Sequence, residues 1–159
     1  DGIKFSVTVS PTLQTALRIA QVLQQQLKPA NINMELDTVE WGTFLDAWRN
    51  SDFDSFASLN GGSFDPDGYF YRTFHSGGST NVFNYSDPVM DALLEKGQVT
   101  ADLEDRQEIY VALQKRLIEK MPILFVAYAD LHTVLRENVM DFVQLSDRSM
   151  VMLRRTWIK

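Results

Sequence analysis

The stretch from Lys4 to Leu36 leaves few folds open. Phe5, Val7 and Val9 alternate with Lys4, Ser6 and Thr8, the two-residue period of a strand with one wet face. Ser10-Pro11 follows, an N-cap residue and a proline suited to the first helical position. Leu13, Leu17, Ala20, Leu23 and Leu27 then recur at steps of three and four, which predicts a helix with one apolar stripe. Pro29 ends this helix, and Asn31 suits the left-handed exit a helix often needs. Ile32, Met34 and Leu36 alternate with Asn33, Glu35 and Asp37, so a second strand follows. Strand, helix and strand at this spacing make a βαβ unit, with parallel strands and a right-handed crossover. The fold class is therefore α/β.

The unit sets expectations for what comes next. A short helix is predicted from Trp41 to about Asn50, with Phe44, Leu45 and Trp48 on its buried side. Asp54 to Leu59 reads as a third strand that runs into a loop of small residues, Asn60-Gly61-Gly62-Ser63 and then Phe64. Ligands of open α/β sheets usually sit at the carboxyl ends of parallel strands, which raises interest in this loop. Asp65-Pro66 reads as an N-cap and first residue of a helix to about Phe74, broken by His75-Ser76-Gly77-Gly78. Ser86 is the expected cap of the next helix, and Gly97 its stop at C′. Asp102 to Met121 is the longest helix, with Leu103, Tyr110, Leu113, Leu117 and Met121 as its stripe; Glu104, Arg106, Glu108, Lys115 and Glu119 read as a solvated face. Ile123–Ala129 and Leu131–Glu137 read as strands. The tail from Met140 to Lys159 has no local assignment.

Composition narrows function mainly by exclusion. In 159 residues, 15 Lys and Arg face 21 Asp and Glu, a formal charge of −6. That balance disfavours a nucleic-acid surface, which needs clustered cations. There is no cysteine, so disulfide scaffolds, thiolate zinc sites and cysteine nucleophiles are out. No apolar run approaches the roughly 20 residues of a membrane-spanning helix. The first residue is Asp1, from which we expect a chain that is processed or excised from something longer.

No catalytic constellation emerges. Asp65 and Asp67 could in principle share a metal, but a capping Asp followed by Pro in the first turn accounts for the same letters. His75 and His132 lack metal-ligand spacing and read as surface or capping histidines. Asn60-Gly61-Gly62-Ser63 is not a nucleophile elbow, and no Lys-Ser or Lys-Thr follows the glycines as in a phosphate loop. No cofactor is expected. Most aromatics belong to the core, yet Trp41 and Phe64 stand at strand-end or loop positions where a flat ring can wall a pocket.

Several segments, in order, carry a resemblance. They are Ala20–Leu27 followed by Asn31–Leu36, then Phe53-Asp54-Ser55-Phe56, then Asp65-Pro66-Asp67. Asn84-Tyr85-Ser86-Asp87-Pro88 with Asp91, Asp105-Arg106 with Tyr110, and Met121-Pro122-Ile123 continue the series. Together they resemble the second lobe of the extracytoplasmic solute-binding proteins of the peptide/nickel family, which feed ABC importers. Asn31 departs from that pattern, since the family usually has Gly there.

The resemblance implies a periplasmic-binding-protein-like lobe, a βαβ-built mixed sheet flanked by helices, over residues 1–159. It implies a clamp in which a peptide or similar solute is buried between this lobe and a larger first lobe, and which docks on a membrane permease outside the cytoplasm. Residues 1–159 would then be an excised lobe, and the tail would return toward the first lobe. Trp41, Asn60, Gly61, Gly62, Ser63 and Phe64 are the expected ligand-binding residues. Peptide binders of this family carry an Asp four residues before the Pro of the Asp-Pro turn, pairing with the ligand's α-amino group; here that position is Gly62. The loss of that carboxylate leaves room for a peptide held by backbone contacts, a sugar, an opine-like conjugate or a metal chelate. The alternative expectation is a ligand-sensing domain of a cytoplasmic transcriptional regulator. A third, an enzyme using Asp65 and Asp67 with a metal, is the least economical.

Overall fold

The computed structural model describes residues 2–59, 65–128, 130, 132–145 and 150–159. The described chain falls into two compact units, one of residues 1–60 with 72–91 and one of residues 61–71 with 92–159.

In the first unit β1 (Ile3–Val9) and β2 (Ile32–Thr38) pair in parallel, from Ile3 opposite Ile32 to Val9 opposite Thr38. Between them runs α1 (Gln14–Leu27). The predicted βαβ unit is present, and its packing follows from the periodicity. Val7, Ala20 and Met34 are buried together, with Phe5, Leu23, Leu27, Leu36 and Ala57 packed around them. One face of the strand pair thus meets the apolar stripe of the helix. Gln24 ties helix to strand by donating from Nε2 to the Met34 carbonyl at 2.8 Å. Asn31 takes the left-handed conformation at φ 58°, as its position after Pro29 requires.

The entry to α1 differs from expectation. Ser10 does not cap the helix: the chain first makes a turn, with the Leu13 N–H on the Ser10 carbonyl, and the helix starts at Gln14. Ser10 is fully buried, and its hydroxyl accepts from the Thr12 N–H inside that turn. Helix α2 (Trp41–Asn50) has the predicted bounds, and its cap is the Glu40 side chain, which accepts from the Gly42 N–H at 2.7 Å.

The expected third strand is reduced to a single parallel bridge between Thr8 and Phe56. The Thr8 N–H donates to the Ser55 carbonyl and the Ala57 N–H to the Thr8 carbonyl. One step back the ladder fails for a chemical reason. The Ser6 N–H is taken by the Asp54 carboxylate at 3.0 Å, so a side chain stands where a neighbouring strand's carbonyl would be. The remainder of this unit is a loop set on Phe74, which is fully buried and meets Phe83 and Tyr85. Asn81 staples that loop, donating to the His75 and Tyr85 carbonyls and accepting from the Tyr85 N–H. His75 is a capping histidine whose Nδ1 accepts from the Gly77 N–H.

Helices α3 (Asp67–Phe74) and α4 (Pro88–Val99) both begin just after an Asp-Pro step or at its proline. For α4 the cap is Asp87, not Ser86: Asp87 Oδ1 accepts from the Val89 N–H and its carbonyl takes the Asp91 N–H. Gly97 does not stop α4, which runs on to Val99.

In the second unit α5 (Leu103–Lys120) is the longest helix, capped by Asp102, which accepts from the N–H groups of Glu104 and Asp105. Ile109, Tyr110, Leu113 and Leu117 form its buried stripe. Leu103, at 78% exposure, and Met121, in the left-handed C-cap position, fall outside it. Residues 123–128 and 132–137 form no strand, and Tyr128 is 91% exposed. Apolar alternation makes a segment able to pair, but a strand exists only against a partner edge, and among the described residues none meets this one. Among the described residues this unit's antiparallel pair joins β3 (Val139–Met140), at the start of the unassigned tail, to β4 (Trp157–Ile158) near its end. The α/β class stands; among the described residues the strands form one parallel pair and one antiparallel pair.

Candidate functional site

The carboxyl end of the β1–β2 pair is where the first unit gathers its site-forming features. β2 ends at Thr38, and three residues later Trp41 opens α2. The Val39 N–H donates to the Val9 carbonyl, so this turn is fixed to the end of β1. The segment that leads into the small-residue loop passes the same end. It runs parallel to β1, bridges at Thr8, and continues past it through Ala57 to Leu59.

Rings connect the two. Trp41 stacks on Phe44 with centroids 5.5 Å apart and planes 13° from parallel. Phe44 meets Phe56 edge-on at 6.4 Å, and Phe56 meets Phe53 at 4.8 Å. Phe44 is buried, whereas Trp41 keeps 37% of its surface exposed. A large flat side chain whose inner face is held by a buried ring and whose outer face is free is well made to receive a ligand. Among the six expected binding residues, Trp41 is therefore placed at the end of the sheet. Asn60, Gly61, Gly62, Ser63 and Phe64 lie outside the described residues. Phe56 is a member of the cluster that sequence reading passed over; its place two residues beyond Asp54 on an apolar run was the available signal.

The approach to the loop is strapped down electrostatically. Asp54 receives both the N–H and the hydroxyl of Ser6, and Ser55 donates to the Ser6 carbonyl at 2.7 Å. The backbone N–H of Ser6, and then its hydroxyl, hold the Asp54 carboxyl below its ordinary pKa by favouring the charged form.

On the far side of the loop, in the second unit, Asp65 plays two parts. Its Oδ1 accepts from the Asp67 N–H at 2.8 Å, the capping role the sequence implies for it. It also receives Arg106 through both oxygens, Nη2 to Oδ1 at 2.7 Å and Nη1 to Oδ2 at 3.0 Å. Arg106 Nε donates to the Gly97 carbonyl at 3.1 Å, and the guanidinium lies 5.1 Å over the Tyr110 ring. Arg106 lowers the Asp65 pKa, with the Asp67 N–H second; Asp65 in turn raises that of Arg106. Desolvation raises the Tyr110 hydroxyl, against the opposing pull of Arg106. Arg106 thus leaves the solvated face assigned to it from periodicity; its side chain is only 22% exposed.

Among the described residues no group of three or more His, Asp and Glu side chains is placed to hold a metal ion. No described helix is long and apolar enough to cross a membrane. Within the first unit the Trp41–Phe44–Phe56–Phe53 rings form a continuous aromatic cluster, and Trp41 is its exposed end.

Comparison with known proteins points the same way. Residues 1–81 match the model of the bacterial extracellular solute-binding proteins, family 5, middle region. Over 163 aligned positions the chain is 25% identical to the oligopeptide-binding protein AppA of Bacillus subtilis, covering 99% of this chain and 30% of AppA. It is 28% identical to di/tripeptide-binding protein 4 of Pseudomonas aeruginosa, over 84% of this chain and 26% of that protein. The chain therefore spans about a third or less of the curated relatives it matches. The fold agrees with AppA of Bacillus subtilis bound to a nonapeptide, with a TM-score of 0.86 over 100% of this chain and 34% of that one, at 24% identity. NikZ of Campylobacter jejuni in complex with Ni(L-His) superposes with a TM-score of 0.67 over 76% of this chain and 25% of NikZ, at 25% identity. The chain belongs to the bacterial extracellular solute-binding proteins of family 5.

Proposed function

We propose that residues 1–159 are one lobe of the substrate-binding component of an ABC importer. In this reading the lobe takes part in burying a peptide or similar small solute in a cleft completed by a second lobe, outside the cytoplasm, for delivery to a membrane permease. Trp41 and the loop Asn60–Phe64 form its contribution to the pocket wall, and no bond is made or broken. The observation that carries this reading is membership of the solute-binding family, joined to relatives named for binding oligopeptides and di- or tripeptides. The exposed, stacked Trp41 at the carboxyl end of the strand pair supports it.

Gly62 shapes the choice of solute. A zwitterionic dipeptide whose α-amino group met no carboxylate here would lose a charge-assisted bond of about 1.5–3 kcal/mol. A longer peptide, held along its backbone, loses less in proportion. The NikZ complex makes a metal chelate the second solute class to test.

Titration calorimetry of the full-length parent protein against Met-Leu, a tripeptide, a nonapeptide and nickel-histidine tests the reading. Saturable binding of one class at micromolar strength or tighter is the expected result; heat of none, with hydrolysis of any, overturns it. Gly62→Asp should strengthen dipeptide binding by at least about tenfold, the lower end of the bond energy above. The isolated 159-residue chain should bind far more weakly than the parent, since one wall leaves most of a solute wet.

A further inference from the structure

We infer that Phe44 is a positioning residue for solute binding: with Phe56 behind it, Phe44 sets the plane of the Trp41 ring against which a solute packs. The inference rests on the solute-binding reading and goes one step beyond it, from the ring that meets the solute to what holds that ring in place.

Trp41 is the first residue of α2, a place where a side chain left to itself samples several rotamers, since helix ends fray. Two features of the first unit remove that freedom. The backbone is fixed by the cap. The Glu40 carboxylate accepts from the Gly42 N–H at 2.7 Å, and a Cβ at residue 42 would stand 3.0 Å from Glu40 Oε2, inside ordinary contact. The Val39 N–H, on the Val9 carbonyl, ties the same turn to the end of β1. The ring is fixed by its neighbours. Residues 41 and 44 share a helix face, and their rings stack 5.5 Å apart with 13° between the planes. Phe44 has no room to turn, being only 3% exposed and met edge-on by Phe56 at 6.4 Å. Phe56 in turn packs on Phe53 and stands at the parallel bridge to Thr8 of β1. Through two rings, the plane of Trp41 is thus referred back to the sheet. Leucine would satisfy burial at residue 44, but a flat surface parallel to the indole needs an aromatic ring. With one face of Trp41 covered in this way, the 37% of its surface left open can receive an apolar group without first being ordered by it.

The test compares the full-length parent protein with Phe44→Leu, Trp41→Ala, the two combined, and Phe56→Leu. Affinity is measured calorimetrically for Met-Leu, a nonapeptide and nickel-histidine. The Trp41 ring is followed by fluorine NMR of protein labelled with 5-fluorotryptophan, its signal being the one lost in Trp41→Ala. Trp41→Ala should weaken the bound probe by about tenfold or more, and Phe44→Leu by about fivefold, with a broadened or split Trp41 signal. In the Trp41→Ala background Phe44→Leu should add no further loss, a non-additivity that a merely structural phenylalanine would not show. Should Phe44→Leu fail to fold, Phe56→Leu, at a less buried ring, must disturb the Trp41 signal and weaken binding, again only while Trp41 is present. Equal losses from Phe44→Leu with and without Trp41, or an undisturbed Trp41 signal, overturn the inference. Trp41→Ala binding as tightly as wild type overturns it as well, and leaves the solute-binding reading standing. If the wild type binds none of the probes, that reading fails and the inference fails with it.

Discussion

Two helices of this chain start from the same pair of letters and end in opposite physical situations. Asp65-Pro66 leads into α3 and Asp87-Pro88 into α4. In each, the carboxylate accepts from the N–H two residues on, the geometry of an N-cap. Asp87 is 6% exposed and receives the Tyr85 hydroxyl at 3.0 Å. Asp65 is largely exposed and receives an arginine fork. The cap is a local property that the dipeptide specifies by itself. What the second oxygen does is decided elsewhere: for Asp87 it receives a neighbouring tyrosine hydroxyl, for Asp65 an arginine from a distant helix.

The contrast can be broken from either side. The largest effect is expected for Asp87→Ala, which takes a partner away from the Val89 N–H and the Tyr85 hydroxyl in a buried setting; the loss should be about 2–3 kcal/mol by denaturant unfolding. A loss below about 0.5 kcal/mol would mean that water replaces the carboxylate, as at an ordinary surface cap. Asp65→Ala should cost less, about 1 kcal/mol, most of it the cap, because an exposed pair adds little to stability however well it is aligned. Asp65→Asn should cost less still, since Asn caps nearly as well.

The Asp65–Arg106 pair should show itself in the acid dependence of stability. Arg106 and the Asp67 N–H depress the Asp65 pKa in the folded state, so the folded form binds its proton less readily than the unfolded form. The stabilisation is therefore full above the unfolded value, about 3.9, and disappears as pH falls through the lower folded value. The stability gap between wild type and Asp65→Asn should be flat from neutrality down to about pH 4 and close below it. Added salt should narrow the gap at pH 7, and a gap that persisted at pH 2 would assign the effect to packing.

How much of this was legible beforehand follows the range of the interaction. The βαβ unit was readable because each of its signals, the alternation of Phe5, Val7 and Val9, the leucine spacing and Asn31 after Pro29, acts within a few residues. The third strand was misread because Asp54 looks like any strand-edge polar residue until its carboxylate takes the Ser6 N–H. The cap of α4 was misplaced by one residue, since Ser86 and Asp87 are both good caps and the hydroxyl of Tyr85 favours the second. The apolar runs after Pro122 carry a strand pattern without a described partner, and pattern alone cannot supply one. Trp41 was legible as a ring standing just after a strand, and the structure puts it there, at the start of α2. Arg106 was hidden in a helical charge pattern, because nothing in periodicity tells a braced cation from a solvated one.

Gly97 gives the effect whose sign is least fixed in advance, and so the sharpest check on the packing around Arg106. In an exposed helix interior Gly→Ala gains about 1 kcal/mol from propensity alone. Here a Cβ would stand 3.2–3.3 Å from the Tyr110 hydroxyl and ring edge, closer than ordinary contact by a few tenths of an ångström. Tyr110 has little freedom to yield, being buried, set against Phe70 at 6.0 Å and covered by a guanidinium that is itself held at both ends. Overpacking of this kind costs about 1–3 kcal/mol, enough to cancel or exceed the propensity gain. Gly97→Ala should therefore leave the protein no more stable, and at most about 1–2 kcal/mol less, measured by denaturant unfolding. A clear gain in stability would show that Tyr110 gives way easily, in which case Arg106 is not braced from that side.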